Sequence, residues 1–225
     1  MAQRMYRMIR EVDPAIPIYS STWHHIPEWN GLISVWGAGS YGCFPVERMD
    51  EVRRNGARLW FTTDVQLTLS TPYCAIEQLL PVYAIFRGVE RYEYWGVNWV
   101  TLPPWRFGWH DYVAEGMGIR TGNGSGFIAY PPCPDTDDPR PCASIRLAAA
   151  RDGVELHSYL KRLMAIAGGK SPEAESARAL LDEYRELAVI PNAGGCCSTR
   201  LLHDDPDVLD RLRLRAGRII DATAK

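Results

Sequence analysis

The sequence predicts an α/β fold in which parallel strands are joined by helices. Short apolar runs alternate with longer amphipathic stretches over residues 2–99, and this alternation is typical of parallel strands with helical crossovers. The composition changes at Ala143, after which Ala, Leu, Glu and Arg recur with helical periodicity. We therefore expect an α/β layer or barrel followed by C-terminal helices.

The elements of the α/β part are placed by their hydrophobic period and by the residues that end them. Apolar residues recur at helical spacing over residues 2–12, and Asp13-Pro14 ends that pattern. Gly56 ends a second amphipathic helix, because glycine readily adopts the conformation that closes a helix. In chain order we predict a helix over 2–12, strands over 16–20 and 32–36, a helix over 46–55, a strand over 57–63, a helix over 74–89 and a strand over 92–99.

The rest of the chain is predicted to be irregular at first and helical later. Residues 100–124 read as a long aromatic and glycine-rich loop, and residues 125–130 as a short extended piece. Ser171-Pro172 suits the start of a helix. Helices are expected over 143–167, 172–189 and 207–223, and we divide the chain into residues 1–142 and residues 143–225.

Composition argues against several classes of function. The 225 residues are 46% hydrophobic and carry a net charge of −2, so we expect no basic surface for nucleic acid. The apolar run over residues 75–86 is interrupted by charged and proline residues and is shorter than the roughly 20 residues of a membrane span. Residues 1–12 lack the apolar core of a signal peptide. The protein is expected in the cytoplasm as given, or outside the cell if its natural N-terminus lies further upstream.

Six cysteines are present and none forms a C-x-x-C motif, which argues against zinc-ribbon and thioredoxin-type sites. Cys133 and Cys142 flank an acidic, proline-rich loop and are close enough in sequence for a local disulfide. Free thiols are favoured, because disulfides are rare in proteins without a secretory signal.

Eight tryptophans all fall in the first half of the chain, at positions 23, 29, 36, 60, 95, 99, 105 and 109. Ligands of parallel α/β folds bind at the carboxyl ends of the strands, and the predicted strand ends carry indoles, hydroxyls, an amide and one carboxylate. These groups suit a neutral sugar, because its flat apolar face stacks on aromatic rings. A purely structural aromatic core is the alternative. The predicted substrate-binding residues are Trp36, Trp60, Thr63, Asp64, Tyr94, Trp95, Asn98 and Trp99.

Other ligand chemistries have less support. No glycine-rich phosphate-binding motif follows a strand, and we expect no cofactor. The adjacent rings of His24-His25 would point to opposite sides of a strand, so a solvated or sugar-binding role is favoured over a metal site. Asp64 suits an acid or base as well as it suits a helix cap or loop anchor. Glu93 lies within a strand and needs a partner if it is buried.

Charged residues within the predicted helices have mainly structural explanations. Asp50-Glu51 and Asp182-Glu183 have arginine neighbours, and we expect both pairs on solvated helix faces. Arg146 interrupts an apolar helix, where a buried ion pair that fixes the helix and a contact to substrate are both open.

Several stretches of the sequence, taken in order, resemble the catalytic domain of glycoside hydrolase family 123. The clearest are residues 94–99 (YWGVNW), 122–131 (GNGSGFIAYP) and 144–147 (SIRL), followed by residues 151–160. Residues 31–36 (GLISVW) and 54–61 (RNGARLWF) resemble earlier parts of the same domain. The resemblance covers about residues 1–165.

This resemblance implies the C-terminal portion of a (β/α)₈ TIM-type barrel. Residues 1–142 would supply about strands five to eight and the loop after the last strand, and residues 143–225 the closing helix and a C-terminal helical segment. The family implies hydrolysis of β-linked N-acetylgalactosamine by a substrate-assisted, retaining mechanism, in which the acetamido oxygen of the sugar attacks the anomeric carbon.

The acidic residues that the family uses are not matched in this chain. The Asp-Glu pair of the family precedes the helix that resembles residues 2–12, so the catalytic residues are expected upstream of Met1, with Asp64 as a candidate inside the chain. Asn123 stands where the family has an acidic residue, and Ala148 where it usually has Glu. The alternative function is therefore a non-catalytic carbohydrate-binding or structural remnant of the barrel.

Half a barrel cannot close, and it leaves two strand edges and an apolar face uncovered. We therefore expect the chain to be a fragment of a longer protein, to form a homo-oligomer, or to bind a partner chain that completes the barrel.

Overall fold

The computed structural model describes residues 1–22, 24–39, 44, 46–63, 81–82, 84–94, 97, 105, 113–114, 119–120, 128–187, 205 and 207–224. These residues belong to two compact units. The first unit contains residues 1–63 and 87–94, and the second contains the described residues between 81 and 86 and those from 97 onwards. This division differs from a single boundary after residue 142, because residues 91–94 pair with an earlier strand while Val82 packs among the C-terminal helices.

Helices and strands alternate in the first unit. Gly56 follows its second helix with φ +78°, a left-handed conformation that glycine adopts without steric cost. The helix predicted over residues 46–55 and the strand predicted over 57–63 are confirmed to within one residue. The elements are α1 (Ala2–Val12), β1 (Tyr19–Thr22), a 3₁₀ turn (Pro27–Trp29), β2 (Val35–Gly39), α2 (Val46–Arg54), β3 (Arg58–Thr63) and β4 (Arg91–Tyr94).

Within the described part of this unit, four strands form one sheet in the order β1-β2-β3-β4, and every pair is parallel. Tyr19 is level with Val35, Val35 with Arg58, and Trp60 with Arg91. The parallel sheet confirms the predicted α/β class. Neighbouring strands of a (β/α)₈ barrel follow one another without reversal, whereas a doubly wound sheet reverses its order. Closure into a barrel stays a prediction.

One face of the sheet lies in the core of the first unit. Trp36 and Ala38 of β2 are level with Leu59 and Phe61 of β3, and all four have no exposed surface. α2 contacts β3 and buries Val52. Because a fully buried apolar side chain of this size contributes about 1.5–3 kcal/mol, this face supplies much of the stability of the unit.

α1 turns its polar side towards the rest of the unit. Gln3 donates to the carbonyl of Glu28 (3.2 Å), and the hydroxyl groups of Tyr6 and Ser20 are hydrogen-bonded at 2.9 Å. The opposite side of α1 carries an apolar stripe at helical spacing. An exposed stripe of this kind indicates a surface that another segment or molecule covers. Its members, each more than half exposed, are Met1, Met5, Met8 and Val12.

The second unit contains three packed helices, α3 (Ile145–Ala167), α4 (Pro172–Leu187) and α5 (Val208–Thr223). Their common core includes Leu160, Leu163 and Leu180, which have no exposed surface. All three helices were predicted from helical periodicity, and the observed bounds differ by at most two residues at each end.

Ser144 fixes the start of α3. Its Oγ accepts a hydrogen bond from the backbone N–H of Leu147 (3.2 Å) and donates one to the carbonyl of Ile128 (2.5 Å). The first bond satisfies a backbone donor that the first turn of a helix cannot pair internally. The second ties the helix to the chain that precedes it.

Two short ribbons complete the described structure of the second unit. β5 (Val113–Ala114) pairs antiparallel with β6 (Ile119–Arg120), and β7 (Ala129–Tyr130) pairs antiparallel with β8 (Cys142–Ala143). Cys133 and Cys142 are free thiols, as predicted. None of the helices in the described ranges has the length and apolarity needed to cross a membrane.

Candidate functional site

The face of the sheet opposite Trp36 is partly open to solvent. Its side chains come from every second residue of β1, β3 and β4, and the residues between them point to the opposite face. Three of them are exposed polar groups, and the others are aromatic or only partly buried. We term this surface the Trp60 face, and its members are Tyr19, Ser21, Arg58, Trp60, Arg91 and Glu93.

Trp60 lies at the centre of this face. Its indole centroid is 5.1 Å from the ring centroid of Tyr19 and 4.9 Å from the guanidinium carbon of Arg91, and the second distance is that of a cation–π interaction. The indole Nε1 is buried and has no acceptor among the described residues. An unpaired buried donor of this kind costs about 1–3 kcal/mol.

Glu93 is held on the same face by Tyr19. The Tyr19 hydroxyl donates a hydrogen bond to Glu93 Oε2, which supplies the partner that a half-buried carboxyl in a strand requires. Burial raises the pKa of Glu93, because desolvation disfavours the charged form. The carboxyl therefore keeps its proton to a higher pH than an ordinary glutamate, and can donate a hydrogen bond to a ligand oxygen.

The contact between Tyr19 and Glu93 spans the whole width of the sheet. Tyr19 is on β1 and Glu93 is on β4, so three strand spacings of about 4.8 Å, or about 14 Å in all, separate their backbones on a flat sheet. The two side chains therefore lean towards each other across the Trp60 face.

Trp36 and Trp60, which we predicted to line one pocket, lie on opposite faces of the sheet. The register places Trp36 level with Leu59, so that Trp60, one residue further, points the other way. The Trp36 ring packs against His25 (5.2 Å), Phe44 (6.0 Å) and Trp29 (6.1 Å) and has no exposed surface. The structure thus places Trp36 in an aromatic core behind the sheet.

The other predicted contacts lie at the carboxyl end of the sheet. For the strand residues there, the structure describes the backbone and not the side chains. Thr63 of β3 and Tyr94 of β4 are register partners at this end. The side chains of Thr63 and Tyr94, and all of Asp64, Trp95, Asn98 and Trp99, lie outside the described residues. Their roles in binding stay predictions.

His25 is buried behind the sheet. Its Nε2 lies 3.1 Å from Asn30 Oδ1 and 3.8 Å from Glu51 Oε1. The ring is thus used in a hydrogen-bonded aromatic core, while His24 is exposed.

The acidic pairs predicted on solvated helix faces form ion pairs there. In α2, Asp50 pairs with Arg53, and Glu51 lies 2.6 Å from Arg48. In α4, Asp182 pairs with Arg185, and Glu183 lies 2.5 Å from Arg215 of α5. Solvent screens such pairs, so each adds little to stability, which fits a structural role.

Arg146 is buried at the start of α3. Its Nη2 donates to the Tyr130 hydroxyl at 2.7 Å, and its guanidinium carbon lies 5.4 Å from the centroid of that ring. Trp105 packs edge-on against the same ring at 6.3 Å. Arg146 thus ties α3 to β7 by a hydrogen bond and a cation–π contact, and its contact to substrate stays a prediction. Arg151 pairs instead with Asp152 at 2.8 Å on the surface.

Sequence reasoning missed Tyr19 and Arg91 as members of the site. The register shows that both side chains point to the same side of the sheet as Trp60. Side chains alternate between the two faces along a strand. This alternation shows which residues of different strands share a face only when the register between the strands is known.

No protein-family model and no curated protein sequence matches this chain. A comparison of folds gives a different result. The fold is similar to that of a family 123 glycoside hydrolase from Clostridium perfringens. The TM-score is 0.55 at 14% sequence identity, and the match covers 93% of this chain but 36% of the other. The chain thus spans about a third of the length of that hydrolase, whose structure concerns the hydrolysis of glycolipid glycans.

Proposed function

We propose that this protein is carbohydrate-active and glycoside hydrolase-like, and that it recognises β-linked N-acetylhexosamine, with N-acetylgalactosamine as the preferred sugar. The observation that carries the proposal is the Trp60 face, which combines an indole, a tyrosine and hydrogen-bonding side chains on a parallel sheet. The similarity of this fold to a family 123 glycoside hydrolase supports it.

In this proposal the sugar binds between the Trp60 face and the carboxyl end of the sheet. Trp60 offers its indole ring, and Trp36 holds β2 in place from the opposite side. The remaining groups, which would stack on the sugar or hydrogen-bond to it, are Thr63, Asp64, Tyr94, Trp95, Asn98 and Trp99.

The chemistry proposed for the intact protein is substrate-assisted hydrolysis with retention. The acetamido oxygen of the sugar attacks the anomeric carbon while a carboxylic acid protonates the leaving oxygen. The family's catalytic Asp-Glu pair, to which no residues of this chain are matched, would polarise the acetamido group and supply that proton. We therefore expect the chain alone to bind sugar without turning it over, and Asp64 is the residue within it to test for catalysis.

The second candidate function is a non-catalytic carbohydrate-binding or structural remnant of the barrel. The absence of a match to the family's Asp-Glu pair favours it. The nucleotide sequence upstream of Met1 separates the two, because an in-frame extension that encodes Asp-Glu after an apolar run supports the hydrolase.

The direct test measures binding and turnover on the same sample. N-acetylgalactosamine should quench the tryptophan fluorescence of the chain, and an aryl N-acetyl-β-galactosaminide or glucosaminide should not be hydrolysed. Hydrolysis that is lost in Asp64→Asn would locate the catalytic carboxylate inside the chain. Failure to bind either N-acetylhexosamine would refute the proposal.

A further inference from the structure

The Trp60 face carries a row of hydrogen-bond donors that is level across the sheet. Ser21 is the register partner of Gly37, Gly37 of Trp60, and Trp60 of Arg91. The row therefore presents the Ser21 hydroxyl and the Arg91 guanidinium on either side of the Trp60 indole. A surface so rich in donors favours a ligand that supplies acceptor oxygens.

Arg91 differs from the other arginines near the sheet. Arg48, Arg53 and Arg58 form ion pairs with Glu51, Asp50 and Glu90, respectively. Among the described residues, no carboxylate pairs with Arg91, although its side chain is exposed on the same sheet. Its positive charge is thus available to an anion from solution.

The indole of Trp60 orients this charge. The Arg91 guanidinium carbon lies 4.9 Å from the indole centroid, so the ring restricts the side chain while its N–H groups stay available. A guanidinium held in this way can donate two parallel hydrogen bonds to the oxygens of a carboxylate or a sulfate.

We propose that Arg91 and Trp60 bind an acidic group of a glycan, either a uronic-acid carboxylate or a sulfate ester. The proposal rests on the proposed function. It restricts the substrate class to N-acetylhexosamine glycans that carry an acidic group. Glu93 weakens the binding of an acidic group in part, because its carboxyl lies two residues further along β4 on the same face and repels an anion when ionised. Its hydrogen bond with Tyr19 and its burial moderate that repulsion.

The test compares three sugars on the full chain by isothermal titration calorimetry at low salt. N-acetylgalactosamine is the neutral probe, its 6-sulfate is the sulfate probe, and methyl glucuronide is the carboxylate probe. At least one acidic probe should bind about tenfold more tightly than the neutral one, since hydrogen bonds between charged groups are about twice as strong as neutral ones. Added salt should reduce that advantage.

Three arginine variants and one carboxyl variant make the test specific. Arg91→Gln should remove the preference for the acidic probe, whereas the control Arg48→Gln, on the exposed surface of α2, should keep it. Arg91→Lys should retain only part of the preference, because a lysine lacks the planar fork. Glu93→Gln should tighten binding of the acidic probe. Far-UV circular dichroism verifies that each variant is folded.

The possible outcomes separate this inference from the proposed function. Binding of N-acetylgalactosamine with no preference for acidic probes, or a preference that survives Arg91→Gln, overturns the inference and leaves the proposed function standing. Binding of an acidic probe through Arg91, without recognition of an N-acetylhexosamine, supports the inference and overturns the proposed function. Binding of none of the three sugars overturns both.

Discussion

Replacing Arg10 by methionine should loosen the attachment of α1 to the sheet. The Arg10 guanidinium donates to the carbonyls of Leu32 (2.9 Å), Pro14 (2.8 Å) and Ile16 (2.5 Å) and to Ser34 Oγ (2.6 Å). These acceptors lie in the segments that lead into β1 and β2. The side chain therefore connects α1 to the starts of both strands, and methionine keeps the apolar stem while it removes all four bonds.

The expected loss of stability follows from the burial of these bonds. Those to Leu32 and Ser34 are partly buried and contribute about 1.5 kcal/mol each, as hydrogen bonds to charged groups do. Those to Pro14 and Ile16 are exposed, where water competes, so together they add less than about 1 kcal/mol. The free energy of unfolding should fall by about 3 kcal/mol, a large part of the roughly 5–15 kcal/mol that a domain has.

Urea unfolding followed by tryptophan fluorescence measures this loss. The matched control is Arg7→Met, because Arg7 is exposed on the same helix and has no hydrogen-bond partner among the described residues. Arg7→Met should change the free energy of unfolding by less than about 0.5 kcal/mol. Equal effects of the two substitutions would refute the idea that Arg10 anchors α1.

Three further predictions concern the pH response, the helical core and the exposed stripe. The pKa of Glu93 is raised by burial, so the folded state holds this proton more tightly and stability should decrease as pH rises from the ordinary glutamate pKa through the raised one. Glu93→Gln should flatten that decrease in pH-dependent thermal melts and Glu90→Gln should not, and an unchanged profile in Glu93→Gln would contradict the assignment. Leu160→Ala should cost about 2–5 kcal/mol, because Leu160 has no exposed surface; a loss below about 1 kcal/mol in urea unfolding would mean that the core is loosely packed. On size-exclusion chromatography the chain should associate at high concentration through the apolar stripe of α1, and combined Met5→Glu and Met8→Glu should make it monomeric. A wild-type chain that is monomeric at all concentrations would contradict this prediction.

The helices could be predicted closely from the sequence. The helix predicted over residues 2–12 is α1 (Ala2–Val12), because a period of 3.6 residues and the Asp13-Pro14 stop are both local signals. The orientation of α1 could not be predicted in the same way. The apolar side of an amphipathic helix ordinarily faces the core, whereas the hydrogen bonds of Tyr6 and Arg10 turn the polar side of α1 inwards.

The first two strands were predicted about three residues too early. The predicted spans 16–20 and 32–36 follow the apolar residues of each segment, whereas the observed strands are β1 (Tyr19–Thr22) and β2 (Val35–Gly39). A ladder is defined by backbone hydrogen bonds, which do not depend on side-chain apolarity. β1 has the sequence YSST. Because its side chains are mostly polar, a criterion based on hydrophobicity does not detect this strand.

The composition of the site depends on register, which the sequence did not contain. Both Trp36, at the end of one predicted strand, and Trp60, within another, were placed in one pocket. Pairing of Gly37 with Trp60 puts the two indoles on opposite faces, whereas a register shifted by one residue would have put them together. The same offset brings Arg91 level with Trp60 and leaves Tyr19 and Glu93 within reach of each other. A one-residue insertion that shifts the register of β3 should therefore be more damaging to sugar binding than Trp60→Phe, because it would turn Arg58 and Trp60 to the buried face.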